Sequence, residues 1–254
     1  MKIAVLMPLW KRPEVFKEVL DNWRHPSKKF KIQELFFFVI SPTDPDINEL
    51  MQLCNDFLAK DGNSGMILQV ENLPVGQKMN DSIKIMLNYE WDYLMNIGSD
   101  NILSDDYWNA FFPYLYEKIN MIAMDGVVFV DTWSQSATKC KYPIVGAGRL
   151  IKRFIIEDTI SKLGFLYHNY LNSGLDTSSM MNIKKATDCD TTIDEGCFSV
   201  DLKTLTNIHI YDEIKHLGDE SSEINASGVT GFGNLSEICT RIADYRRIQK
   251  SLLG

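Results

Sequence analysis

The sequence predicts an α/β fold on an open, mostly parallel sheet with helices on both faces, and three observations predict it. Apolar runs of strand length recur through the first part of the chain. Segments with helical spacing separate them, which is the alternation of parallel βαβ units. A polar turn follows each run at the same end, and in an open parallel sheet those carboxyl ends line the edge where ligands bind.

Ile3 to Leu9 is a continuous apolar run with β-branched residues and reads as a buried strand. Pro13 to Trp23 follows as a helix, with Val15, Phe16, Val19, Leu20 and Trp23 on one face and Pro13 at its start. Leu35 to Ile40 is a second buried strand, closed by the turn Ser41-Pro42-Thr43-Asp44-Pro45-Asp46. Ile47 to Leu58 is an amphipathic helix, Met66 to Val70 a third strand, Gln77 to Leu87 a helix and Tyr93 to Ile97 a fourth strand. Further on, Met121 to Val130 predicts a strand ending at Asp131, and Ile144 to Gly148 a short strand ending in Arg149. Ile151 to Leu163 and Ser178 to Ala186 read as helices, and Asn207 to Tyr211 as a strand. Residues 218–234, rich in Gly, Ser, Asn and acid, read as a mobile loop of the kind that forms lids. Leu235 to Leu253 is a closing helix with Arg241, Arg246, Arg247 and Lys250, the best candidate surface for an anionic acceptor or lipid.

The net charge of −8 disfavours a broad electrostatic grip on nucleic acid, which needs clustered Lys and Arg. The five cysteines are irregularly spaced without a C-x-x-C pair, which points to reduced thiols and a cytoplasmic setting. The N-terminal apolar run is too short to span a bilayer and carries no signal-peptide pattern, so no transmembrane segment is expected and membrane association would be peripheral.

Chemistry-bearing residues fall on the four strand ends. They are Trp10-Lys11-Arg12, then Asp44 with Asp46, then Gly76-Gln77-Lys78-Met79-Asn80, then Gly98-Ser99-Asp100-Asn101. These stretches resemble the GT-A glycosyltransferases, glycosyltransferase family 2 in particular. The likeness runs in order: Pro8 to Arg12 at the first strand end, then Gly76, Lys78 and Asn80, then Gly98 to Trp108 where the family has its acidic metal motif before an aromatic helix. It is clear over residues 1–110, loose over 144–184 and nearly absent beyond.

The resemblance implies a hexosyltransferase-like enzyme that moves a sugar from a nucleotide-diphosphate donor, UDP-linked first of all, with inversion and with Mn²⁺ or Mg²⁺. Asp100 matches the family's last metal-motif acid, while Gly98 stands where the first acid is usual. His216 looks like the C-terminal His that some GT-A enzymes offer to the metal or the pyrophosphate. Asp176, in Asn172-Ser173-Gly174-Leu175-Asp176-Thr177, matches the acceptor-side base, with Asp188, Asp190, Asp194 and Glu195 as rivals. Its ordinary pKa would leave it ionised at neutral pH. Pro8, Trp10, Arg12, Asp44, Gly76, Lys78, Asn80, Ser99 and Arg149 are the expected nucleotide-sugar contacts, and Asp44 is the candidate for a bond to base or ribose. Arg149 and Arg153 are candidate contacts of the acceptor or of the diphosphate.

One catalytic domain over 1–254 follows, with a nucleotide-sugar half at 1–103, an acceptor half with the mobile loop at 104–234 and a C-terminal helix at 235–254. The acceptor stays open among a glycan, a lipid-linked sugar, a protein and a modified nucleic acid base. A sugar nucleotidyltransferase is disfavoured, because Pro8-Leu9-Trp10-Lys11-Arg12 lacks the Gly-rich triphosphate loop that such chemistry needs. A non-catalytic nucleotide- or sugar-binding protein is the other rival, suggested by Gly98.

Overall fold

Strand β1 (Lys2–Pro8) shows why the sheet carries apolar layers on both sides. Ile3, Val5 and Met7 enter one buried cluster while Ala4 and Leu6 enter another, all at 0% exposure, because successive strand side chains point to opposite faces. The protein is described here by a computed structural model covering residues 1–71, 74–141, 145–204 and 222–253, with side chains left undescribed at 222–224 and 248–253. The expected strand at Asn207 to Tyr211 and the candidate ligand His216 lie outside the described residues.

β2 (Gln33–Ile40) and β3 (Gly65–Gln69) add in parallel on one side of β1, and β4 (Tyr93–Asn96) adds in parallel on the other. Helices α1 (Pro13–Asp21) and α2 (Ile47–Leu58) cover the first face through Val15, Phe16, Leu50 and Phe57. Helix α3 (Val75–Met86) covers the second through Met79, Ile83 and Met86. The sequence expectations for this half hold to within about two residues at each boundary.

The second half extends the same sheet. β5 (Asn101–Leu103) leads into α4 (Tyr107–Tyr116), whose Tyr107, Trp108 and Phe111 are buried. β6 (Met121–Asp131) pairs antiparallel with β7 (Ser136–Lys141) and with β8 (Arg149–Lys152), and β8 docks antiparallel on β4. Helices α5 (Arg153–Leu163) and α6 (Leu175–Thr187) lie on the α3 side. β9 (Thr192–Lys203) runs parallel to β6 and antiparallel to β5, and β10 (Ser222–Asn225) pairs with β7. The architecture is α/β and parallel over β1–β4, with antiparallel strands added after it.

Three expectations need correction. The strand placed at 144–148 lies instead at Arg149–Lys152, because Gly148 has φ +69 and bends the chain, and Leu150 and Ile151 are the residues that fill the two cores. The helix after it therefore starts at Arg153, not Ile151. Where described, the 218–234 segment is packed and not a loose lid: it forms β10 and a 3₁₀ turn at Ala226–Gly228, and Ala226, Val229 and Phe232 sit in the core. Finally, in helix α7 (Leu235–Leu253) two of the four basic residues expected on an open face, Arg241 and Arg246, are engaged elsewhere. Arg241 holds buried Glu18 at 2.7 Å and Arg246 holds Glu14 at 2.7 Å, so both cations clamp α7 to α1. Among the described residues no helix is long and apolar enough to cross a membrane.

The two halves are fastened through α3. Asn80, 2% exposed, accepts from the Leu166 and Tyr167 amides at 3.0 Å and donates to the Tyr167 carbonyl at 2.6 Å and Asn169 Oδ1 at 2.7 Å. Gly76 lies so close to this segment that a Cβ there would sit 2.1 Å from the His168 carbonyl oxygen. Replacing Asn80 by Ala would strand buried amides, each costing about 1–3 kcal/mol. Asn80→Ala is therefore expected to lower unfolding stability by about 2–4 kcal/mol in urea titrations. An unchanged midpoint would show that the 166–169 segment is not held there.

Candidate active site

The site begins with how β1 ends. Lys11 and Arg12 both adopt left-handed backbone conformations, with φ of 58 and 56. Each costs a residue with a Cβ about 1–2 kcal/mol, so the turn needs compensation. Asp44, 3% exposed after β2, supplies it: one carboxylate oxygen accepts from the Lys11 amide at 2.8 Å and the other from the Asp46 amide at 2.9 Å. Lys78, 2% exposed on α3, donates to the Leu9 carbonyl at 2.8 Å. Burial brings the Lys78 ammonium down to about 8, against the pull of Asp44, which favours the charged form. The Arg12 carbonyl then accepts the first bonds of α1, from Val15 and Phe16.

This turn delivers the Arg12 guanidinium to Asp100, with Nη1 3.0 Å from Oδ2. Asp100 follows β4 and is tied to β9 through its carbonyl, which accepts from the Leu202 amide at 2.8 Å. Gly98 donates its amide to Asn101 Oδ1 at 2.9 Å, and a Cβ at 98 would lie only 2.6 Å from that oxygen. β9 contributes Asp201 and Lys203, paired at 2.8 Å between Oδ2 and Nζ. The second Asp201 oxygen, Oδ1, is buried without a hydrogen-bond partner, as is Asn96 Oδ1 at the end of β4.

Asp176 sits in the first turn of α6, whose N-terminus is set by Gly174 in a left-handed conformation at φ 68. Its carboxylate packs against Gly146, where a Cβ would come within 1.8 Å of Oδ1, so position 146 admits only glycine while Asp176 keeps this place. Arg149, 2% exposed, braces the same turn by donating to the Asp176 carbonyl at 3.4 Å and to Ser179 Oγ at 3.3 Å.

Pro8, Asn96, Asp100, Asp176, Asp201 and Lys203 line one cleft of about 610 Å³. Arg12 reaches its edge through Asp100. Trp10, half-buried, and Ser99, buried, do not line the cleft, and neither do Asp44, Gly76, Lys78, Asn80 or Arg149, whose recorded contacts hold turns and segments around it. The rival carboxylates stand elsewhere. Asp188 and Asp190 are exposed partners of Lys184, and Asp194 and Glu195 line a separate cleft. Arg153 binds Glu157 at 2.7 Å and the Leu87 carbonyl at 2.7 Å.

The carboxylates of the cleft are tuned in opposite directions. Burial raises the Asp100 pKa, but the charges of Arg12 and Lys203 and the hydrogen bond from Arg12 outweigh it, and the net shift is downward. Asp201 is pushed up to about 6 by burial, with the Asp100 charge adding and Lys203 opposing. Asp176 is also raised by burial, against Arg149 and a hydrogen bond from the Gly146 backbone, which corrects the ordinary value expected for it.

The resemblance implied a divalent ion on Asp100. Among the described residues no group of three or more His, Cys, Asp or Glu side chains is arranged to hold a metal ion. Asp100 and Asp201 each face a cation already, and glycine occupies position 98 with Asn101 folded over it. Among the described residues, which leave out His216, this donor set does not fit a carboxylate-held divalent ion.

Comparisons with known proteins bear on the fold. No protein-family model matches the chain, and no curated protein matches it. Among solved structures it is similar to S. aureus TarS 1–349, with a TM-score of 0.53 and 12% identity over 80% of this chain and 60% of that one. The complex of S. aureus TarS 1–349 with UDP-GlcNAc gives 0.55 and 11% over 82% and 60%. The mannosyltransferase PcManGT from Pyrobaculum calidifontis, in complex with GDP-Man and Mn²⁺, gives 0.54 and 8% over 81% and 58%. The chain therefore has the GT-A type of fold, and it spans about three-fifths of the length of these structures.

The Asp201 shift has a sign. Its folded pKa lies above the ordinary 3.8, so its contribution to stability is fully present below that value and is lost as pH rises through about 6. Asp100 runs the other way, contributing above its ordinary value and losing that contribution as pH falls through its depressed one. In a pH titration followed by carboxyl NMR, Asp201 should show a midpoint near 6, moving higher in Lys203→Gln. A midpoint near 3.8 would mean that Asp201 is solvated and unpaired with the cluster.

Proposed function

We propose that the chain is a glycosyltransferase that moves a sugar from a nucleoside diphosphate donor, a UDP-sugar first of all, to an acceptor hydroxyl with inversion at the anomeric carbon. The observation that carries this reading is a single cleft holding a raised carboxylate, Asp176, together with the paired cation Lys203 and the Arg12–Asp100 pair at its edge. The similar solved structures were obtained with UDP-GlcNAc and with GDP-Man, which supports a nucleotide-linked sugar as donor.

The chemistry assigns a task to each group. The bond between the anomeric carbon and the diphosphate oxygen breaks, and its electron pair stays on the diphosphate, whose added charge calls for fixed positive groups nearby. The acceptor oxygen forms the new bond to that carbon and gives its proton to Asp176. The raised pKa makes Asp176 a stronger base than an exposed carboxylate, and Arg149 and Gly146 hold the turn that presents it. In this reading residues 1–103 bind the donor, with Lys203 from β9 beside its diphosphate, and the rest of 104–234 serves the acceptor. The rival of a non-catalytic binding protein predicts nucleotide binding with no transfer or donor hydrolysis.

Asp176→Asn should reduce turnover by about 10²–10⁴-fold while leaving nucleotide affinity near that of the unaltered chain. Because the base must be ionised, turnover should fall as pH drops through the Asp176 pKa, and the midpoint should lie above the ordinary 3.8. Proton NMR of the product reads the anomeric outcome. Retained configuration, or near-normal turnover in the Asn variant, would remove Asp176 from this role.

A further inference from the structure

How the donor diphosphate is neutralised follows from the same cleft, and the inference rests on the nucleotide-donor reading above. The bond-breaking step leaves extra negative charge on the diphosphate, and a GT-A site with an acidic motif meets it with a divalent ion. Three independent features of this chain work against that arrangement.

The first is the pairing at Asp100. Its Oδ2 lies 3.0 Å from Arg12 Nη1, and the pair is largely shielded, with side-chain exposures of 15% and 16%. A dication entering here would have to displace the guanidinium or sit against it, and like charges at such separations repel strongly where water is excluded. The second is position 98. Its missing side chain gives room to the Asn101 amide oxygen, which caps the Gly98 amide, so no carboxylate reaches the ion from that side. The third is Lys203, 8% exposed on β9, which holds Asp201 at 2.8 Å from the cleft wall.

Each cation also has donors to spare. Arg12 spends one nitrogen on Asp100, and the described residues offer no acceptor to its others. Guanidinium is suited to bridging a carboxylate and a phosphate at once, since its planar fork carries several parallel N–H groups. Lys203 carries three N–H donors, of which the Asp201 pairing uses one. The left-handed backbone at Lys11 and Arg12 points the same way. Strain of this kind persists where the surroundings hold it, and here it sets the one side chain that reaches Asp100.

We propose that Arg12 and Lys203, and not a divalent ion, neutralise the donor diphosphate, with Asp100 and Asp201 holding those cations in place before the donor arrives. The donor then binds without metal, and its affinity depends on both cations and on salt.

Calorimetry on the full chain with UDP, GDP, ADP, CDP and dTDP, in EDTA and separately in Mn²⁺, tests this. The nucleotide that binds should do so with dissociation constants within about threefold in the two media. Lys203→Gln should weaken it by about ten- to a hundredfold, the size expected for a lost charge-assisted hydrogen bond, and Lys203→Arg should restore most of the loss. A merely structural role for Lys203 would shift the melting temperature of the Gln variant without that rescue of affinity. Arg12→Gln provides the second variant, and the EDTA comparison on the unaltered chain stands even where a variant fails to fold. Binding that appears only with Mn²⁺ overturns the inference while leaving the donor reading intact. Absence of binding by every nucleotide in both media overturns the donor reading, and the inference falls with it.

Discussion

Asp44 and the turn it pins are the constraint from which the cleft is built. Left-handed backbone at two consecutive residues with side chains is unfavourable, and without a partner the chain after Pro8 would relax into a different exit. The Asp44 carboxylate takes the Lys11 amide, Lys78 takes the Leu9 carbonyl from the other side, and the turn is closed between them. Hydrogen bonds to charged groups are each worth about 1.5–3 kcal/mol, comparable to the strain they offset. What this secures is direction. Arg12 leaves the turn toward β4, and helix α1 starts from its carbonyl in register.

The cleft is electrostatically balanced without being uniform. Asp100, in the turn just before β5, lies beside Asp201, which pairs with Asn101 in β5; both are largely buried, yet one is held low and the other pushed high. Burial acts alike on both. The difference lies in which charges face them: Asp100 feels Arg12 and Lys203 together, whereas Asp201 has Lys203 and also the negative charge of Asp100. Two carboxylates that cannot both be fully stabilised leave one close to its titration point, a familiar arrangement at functional sites.

The first half of this architecture was legible in the sequence because β1, β2 and β4 are buried on both faces. Their apolar runs are continuous, and no alternation blurs them. β9 was not read, although Phe198, Val200 and Leu202 alternate with Ser199, Asp201 and Lys203, the pattern of a strand with one apolar and one polar side. That omission hid Asp201 and Lys203, which are brought beside Asp100 only by the pairing of β9 with β5. Residue type and strand end drew attention to Asp44, Lys78 and Asn80. Each bonds a backbone group tens of residues away, and the choice between a ligand and such a distant backbone group depends on how the chain returns on itself. Gly146 fell inside the strand expected at 144–148, and only the packed Asp176 carboxylate reveals what it makes room for.

Helix α3 touches both sides of the cleft. Lys78 reaches forward to the turn after β1, and two residues later Asn80 reaches back to the segment that leads into α6 and Asp176. Under the proposed transfer, a displacement of the turn on donor binding would be carried along this helix to the segment that leads into Asp176. Linkage then requires reciprocity: whatever free energy the first ligand lends to the second, the second returns to the first. In that reading the order of loading would depend on these twelve helical residues as well as on access.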